Sequence, residues 1–149
     1  FRGIKRRFEY HVRTENNIYI DDYAHHPNEI NATLKSVREL YPNKKLTGVF
    51  QPHLFSRTKD FALEFAESLN LLDELILLDI YPAREEPIEG VSAKLIFDNV
   101  SLKNKVLVSI EKLNDEIRLR RPELLITMGA GSIGDKTAQI KKIINEFNA

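Results

Sequence analysis

Cysteine is absent from all 149 residues, which removes disulfide frameworks, thiolate metal sites and cysteine nucleophiles together. A reducing compartment such as the cytoplasm accommodates a chain of this kind. An excess of charge of either sign is absent too: 22 basic side chains face 22 acidic ones, which argues against a free-standing electrostatic nucleic-acid binder. No apolar run approaches the ~20 residues needed to span a bilayer. The basic start, Phe1 to Arg7, has no apolar segment behind it, so a soluble protein with no membrane partner is expected. Three catalytic signatures are missing as well: the G-x-x-x-x-G-K-[ST] phosphate loop, the H-E-x-x-H metal pair and a nucleophile elbow with a Ser-His-Asp order. What remains is an ordinary composition, 42% hydrophobic and 30% charged, of a length that suits one domain, residues 1–149. The chain opens on phenylalanine rather than methionine, which reads as one domain of a longer gene product.

The hydrophobic period changes along the chain. Phe8–Val12 and Ile18–Ile20 are short β-rich runs separated by Glu15-Asn16-Asn17, the pattern of a hairpin. Pro27 suits the first turn of a helix, and Ile30, Leu34, Val37 and Tyr41 then draw one apolar stripe ending at Pro42. Leu46–Phe50 is an uninterrupted apolar run of strand length, followed by a helical stripe of Phe61, Phe65, Leu69 and Leu72. The cycle repeats with Leu75–Ile80, again with Val106–Val108 before Ile110, Leu113 and Ile117, and last with Leu124–Met128 before Ile140, Ile143, Ile144 and Phe147. Strands apolar on both faces that alternate with amphipathic helices predict a doubly wound, mostly parallel α/β sheet of Rossmann-like type, with the hairpin at its amino end. Tyr81–Gly90 reads as a long surface loop, with a short helix over Ser92–Val100.

In open α/β sheets the ligand crevice lies beyond the carboxyl ends of the strands. That rule selects Asp21 to Pro27, Gln51 to Arg57, Asp79 with Tyr81, and Gly129 to Gly131. Three of the four histidines fall in the first two segments. Gly129-Ala130-Gly131-Ser132-Ile133-Gly134 matches the dinucleotide fingerprint literally, but no second strand with an acidic residue about 20 positions on follows it. A tight strand-to-helix turn is the preferred reading, with exposed amides at a helix start as a weaker one. Asp21, Asp22, His25, His26 and His53 invite a metal site, yet adjacent histidines seldom share one ion, and no metal is assigned. The plainer expectation is that Asp21 completes a turn and His26 with Pro27 starts a helix. Asp22 is placed to accept the hydroxyls of a ribose, while Tyr23 and His25 either line a pocket or simply pack. Arg57 is placed to clamp a carboxylate, with Thr58 as the N-cap of the following helix. Lys5-Arg6-Arg7 reads as a solvated charge run from which one guanidinium could still reach a phosphate or ribose.

Asp21-Asp22-Tyr23-Ala24-His25-His26-Pro27-Asn28-Glu29, Phe50-Gln51-Pro52-His53 with Ser56-Arg57-Thr58-Lys59-Asp60, and Asp79-Ile80-Tyr81-Pro82-Ala83 together resemble the carboxyl-terminal domain of the Mur ligase family of peptidoglycan synthesis. Gly3 to Glu9 and Gly129-Ala130-Gly131 extend the resemblance over essentially the whole chain. It implies a three-domain, ATP-dependent amide ligase that works through an acyl phosphate, with this domain closing over an amino-terminal domain for the sugar nucleotide and a central one for the phosphates. ATP, Mg2+, L-alanine and UDP-N-acetylmuramate are the implied ligands, ATP and Mg2+ being bound mainly by the central domain. By motif position Arg7 and Asp22 look like nucleotide contacts, and Tyr23, His25, His53 and Arg57 like the pocket for L-alanine. One departure is Leu54, where many members carry arginine. A recycling ligase that attaches a preformed peptide to the same sugar nucleotide, and a non-catalytic nucleotide-binding module, remain as alternatives. Lacking a phosphate loop, the chain by itself is expected to be inactive.

Overall fold

The computed structural model describes residues 6–148. A hairpin of β1 (Glu9–Arg13) and β2 (Ile18–Asp22) leads into α1 (Pro27–Leu40), then β3 (Leu46–Phe50), α2 (Phe55–Leu69), β4 (Glu74–Leu78), the short α3 (Lys94–Phe97), β5 (Lys105–Val108), α4 (Leu113–Arg120), β6 (Leu124–Met128) and α5 (Thr137–Glu146). The six strands form one sheet in the order β1-β2-β6-β3-β4-β5. Only β1 runs antiparallel, against β2; every other neighbouring pair is parallel.

Strands β2, β3, β4 and β6 are buried along their whole length, which is why their sequences are largely apolar runs rather than alternations. Each face of the sheet carries its own core. On one, Ile30, Leu34 and Val37 of α1, Phe65 and Leu69 of α2 and Ile96 of α3 pack with Ile20, Phe50, Leu75, Leu77 and Ile126. On the other, Leu113 and Ile117 of α4 and Ile140, Ile143 and Ile144 of α5 pack with Tyr19, Val49, Ile76 and Leu125. The helix after β3 covers one face and the helix after β6 covers the other, although β3 and β6 are neighbours. Their loops must diverge, and a crevice opens where they part.

Two expectations fail locally. Thr58 does not cap α2: the helix begins at Phe55 behind Leu54, whose φ is +76°. Thr58 lies buried inside the first turn, donating its hydroxyl to the Leu54 carbonyl at 3.0 Å. The orphan N–H groups of that turn are met by an acid from the long loop, because Glu85 accepts from Ser56 N at 3.1 Å and from the Ser56 hydroxyl. Nor does Asp21 complete a turn. It is the fourth residue of β2, with no exposed surface, and its carboxylate takes the Arg6 guanidinium at 2.7 Å and the Thr127 hydroxyl at 2.6 Å.

Candidate active site at the strand ends

Gln51, the first residue past β3, fills the crevice between the diverging loops. Its N–H donates to Met128 O at 3.1 Å, its side-chain NH2 to the Ser132 hydroxyl at 3.0 Å, and its side-chain carbonyl accepts from Ile133 N at 2.9 Å. The glycine turn is therefore packed against protein. A Cβ on Gly131 would fall 2.5 Å from the Tyr81 ring and 2.7 Å from Gln51 Oε1. The literal dinucleotide fingerprint is a close-packed strand-to-helix turn, as expected, leading into a 3-10 turn at Ser132–Lys136 before α5.

Around that keystone the strand ends bring the predicted side chains into two adjoining groups. The first lines a cleft of about 500 Å³ with Arg7, Phe8, Asp22, Tyr23, Ala24 and, from α1, Glu29 among its walls. Asp22 is buried there, and burial pushes its carboxyl above the usual range against the two N–H groups that bond it. Those donors are Phe8 N at 2.9 Å and Ala24 N at 2.8 Å, one to each oxygen. So Asp22 already ties the amino-terminal segment to the end of β2, and any ribose hydroxyl would use the remaining lone pairs. Glu29 is likewise engaged, accepting from His25 N at 3.1 Å and His26 N at 3.0 Å. Burial alone would raise its carboxyl, but these bonds and the two imidazoles hold it below the ordinary value. His26 does start α1, as its N-cap residue.

The second group is a row of rings. Tyr23 meets His25 edge-on at 5.1 Å between centroids, His25 lies at right angles to His53 at 6.2 Å, and His53 stacks on Tyr81 at 5.6 Å. A parallel bridge between His53 and Tyr81 joins the loops after β3 and β4. The partners of the two imidazoles fix opposite polarities. His25 Nδ1 lies 2.9 Å from Tyr23 O, an acceptor, so this nitrogen carries a hydrogen and, in the neutral ring, Nε2 carries the lone pair. His53 Nδ1 lies 3.1 Å from Arg57 Nη1, a donor, so here Nδ1 accepts and Nε2–H donates. Burial, then the charges of Arg57 and His25, lower the His53 pKa, and the same causes lower that of His26. Arg57 also donates from Nη1 to His53 O at 3.2 Å. Among the described residues its Nε and Nη2 make no hydrogen bond, leaving one guanidinium edge open.

The structure thus gathers Arg7, Asp22, Tyr23, His25, His53 and Arg57 at one end of the sheet. Sequence reading missed Gln51 as keystone, Glu85 as cap and Arg6 as the partner of a buried carboxylate. Only Gln51 carried a signal, its place directly after a strand. Glu9, His11 and Asp21 approach one another within 4.8 Å, but the Asp21 oxygens are spent on Arg6 and Thr127. Among the described residues no helix is long and apolar enough to cross a membrane.

Known proteins resemble this chain in sequence and in fold. A family model described as Mur ligase, glutamate ligase domain, matches residues 6–131. The chain is 54% identical over 146 residues to the UDP-N-acetylmuramate--L-alanine ligase of Flavobacterium psychrophilum, covering 98% of this chain and 33% of that protein. It spans about a third of the length of the curated relatives it matches. The crystal structure of a UDP-N-acetylmuramate-alanine ligase from Thermotoga maritima aligns with a TM-score of 0.72 at 28% identity, over 99% of this chain and 31% of that one. A murein peptide ligase from Psychrobacter arcticus, at 20% identity, aligns with a TM-score of 0.75 over 97% of this chain and 31% of its own and shares the fold.

Proposed function

The chain belongs to the Mur ligase family as its glutamate ligase domain, and from that premise we propose that it is the closing domain of an ATP-dependent ligase joining L-alanine to UDP-N-acetylmuramate. In such a reaction the muramyl carboxylate takes the terminal phosphoryl group of ATP. The alanine amine then attacks the acyl carbon, phosphate leaves, and the nitrogen sheds its proton.

The observation that carries the reading is the open guanidinium edge of Arg57 beside two imidazoles of opposite polarity. Arg57 Nε and Nη2 suit a bidentate pair with the alanine carboxylate. The His25 Nε2 lone pair suits an N–H of the amine, and the His53 Nε2–H suits an oxygen of the acyl phosphate. These groups are held before the substrates arrive, so they supply orientation and fixed charge rather than reorganisation. Arg7 and Asp22, on the adjoining cleft, are the nucleotide contacts of the same proposal. The cleft carboxylates are poorly placed to hold Mg2+ by themselves: Asp22 has a backbone N–H on each oxygen and Glu29 has two on Oε1, which leaves Glu29 Oε2 as the one carboxylate oxygen of the pair without a hydrogen bond among the described residues. The ion's main ligands belong to the rest of the protein.

The test is kinetic, on the full-length protein. ADP release should depend on UDP-N-acetylmuramate and L-alanine, and an L-alanyl tripeptide in place of L-alanine should not support it; the reverse preference would assign the recycling reaction instead. Losing one partner of a desolvated charge pair costs on the order of 2–5 kcal/mol, and each ~1.4 kcal/mol is a factor of ten. Arg57→Ala should therefore raise KM for L-alanine at least tenfold with KM for ATP little changed. Alanine kinetics within twofold of wild type in a folded variant would remove Arg57 from the site.

A further inference from the structure

Arg6 departs furthest from its sequence reading as part of a solvated run. Its side chain is 18% exposed, and the guanidinium meets the fully buried Asp21 with Nε–Oδ2 at 2.7 Å and Nη2–Oδ1 at 3.4 Å. Asp21 is in turn held by the Thr127 hydroxyl of β6, which accepts from the Tyr19 hydroxyl at 2.9 Å. The same guanidinium lies against the backbone of Gly134, where a Cβ would come within 2.8 Å of Cζ, and over the Tyr23 ring at 5.5 Å from its centroid. The Arg6 carbonyl accepts from Tyr23 N, and two residues on, Phe8 N donates to Asp22. Arg6 and Phe8 both have positive φ, +64° and +46°, a conformation that costs side-chain-bearing residues free energy and persists where surrounding contacts impose it.

Arg7 thus stands between two fastenings, and Tyr23, 47% exposed, has the Arg6 charge under its ring as a lateral restraint. We infer that Arg6 is a positioning residue: its buried pair with Asp21 at the junction of β2 and β6 holds Arg7 in the cleft and Tyr23 at the head of the ring row, so one contact sets both halves of the site. Nothing in the role requires Arg6 to touch a ligand. A methionine of similar length would fill the space but release the segment. An alanine at Gly134 would push the guanidinium aside with its charge intact, and Gly134 does not have a positive φ that would forbid it.

The inference rests on the ligase reading for its kinetic arm and on the fold alone for its second arm. In the full-length protein, Arg6→Met should raise KM for L-alanine and weaken ATP binding, each at least fivefold. Gly134→Ala should act in the same direction, and Arg6→Lys, which keeps a charge for Asp21, should fall between Arg6→Met and wild type. Because Arg6 acts on alanine through Tyr23, Arg6→Met combined with Tyr23→Ala should leave KM for L-alanine within twofold of Tyr23→Ala alone. Amide exchange should quicken at Phe8 and Tyr23 in Arg6→Met, while thermal unfolding shows the variant folded. Kinetics within twofold of wild type, or multiplying effects of the two substitutions, would overturn the inference. A wild type without L-alanine-dependent ADP release would refute the ligase reading instead; unchanged Phe8 and Tyr23 exchange in Arg6→Met would then still overturn the positioning role.

Discussion

His53 shows how a single side chain records its neighbours. Burial comes first among the causes that lower its pKa, and the Arg57 charge second; the Arg57 N–H on Nδ1 also favours the neutral ring. Arg57→Leu should therefore move the His53 titration upward toward its ordinary 6.5, read from the ring C–H resonance. The sign for stability follows from linkage. As pH falls below 6.5, an unfolded chain takes up a proton that folded His53 still refuses, so this residue subtracts stability between 6.5 and its lower native pKa. His53→Asn should flatten that acid limb of the stability profile. Thr127 makes a second test at this scale, since its hydroxyl serves both Tyr19 and Asp21. Thr127→Val leaves two buried polar groups short of a partner, and a loss of about 1–3 kcal/mol is expected in chemical denaturation.

Elements are joined at the far end of the sheet by another buried acid. Glu74, 3% exposed at the start of β4, accepts from Thr47 of β3 at 2.7 Å and from Arg120 of α4 at 2.8 Å, and Arg120 also binds Glu116 within α4. A buried pair of this kind is no proof of net stabilisation, but removing one partner strands the other charge, at about 3–5 kcal/mol, less what Lys45 Nζ, 3.5 Å from Glu74 Oε2, still supplies. Arg120→Ala should therefore destabilise the fold by that order without touching substrate affinities, because the pair lies at the amino ends of the strands. At the site end, α2 depends on an acid from outside itself. The Ser56 bonds hold the Glu85 carboxyl below its ordinary value, so their contribution is present above the unfolded pKa and is lost as pH falls through the native one. Glu85→Gln should quicken amide exchange in the first turn of α2 and disturb Arg57, which sits in that turn.

For the whole molecule what matters is that the proposed site lies at one edge of this chain. The cleft beside Arg7 and Asp22 and the ring row from Tyr23 to Tyr81 are walled from below by strand ends, and the relatives carry twice as much chain again beyond the matched third. We expect the 149 residues alone to fold, since each face of the sheet has a closed apolar core. We expect them to bind ATP weakly and to release no ADP. Calorimetry and a coupled ADP assay on the isolated chain check this; tight, magnesium-dependent ATP binding by it would contradict the division of labour proposed here.

Sequence by itself determined the sheet: strand runs at Leu46–Phe50 and Leu124–Met128 agree residue for residue with β3 and β6, because a strand buried on both faces is mostly apolar. It also placed the candidate residues at the carboxyl ends, since strand direction follows from the alternation with helices. Tertiary structure alone decided what those residues do to one another. Asp21 and Asp22 are identical neighbours in sequence, yet the pleat sends one to Arg6 and Thr127 and the other to Phe8 and Ala24. Thr58 had the chemistry of a cap, but the N-cap is Leu54, four residues earlier, and Glu85, 29 residues from Ser56, reaches the first turn. Contacts between segments distant in the chain leave no periodic trace, so a charge such as Arg6 reads as solvated until the fold supplies its partner.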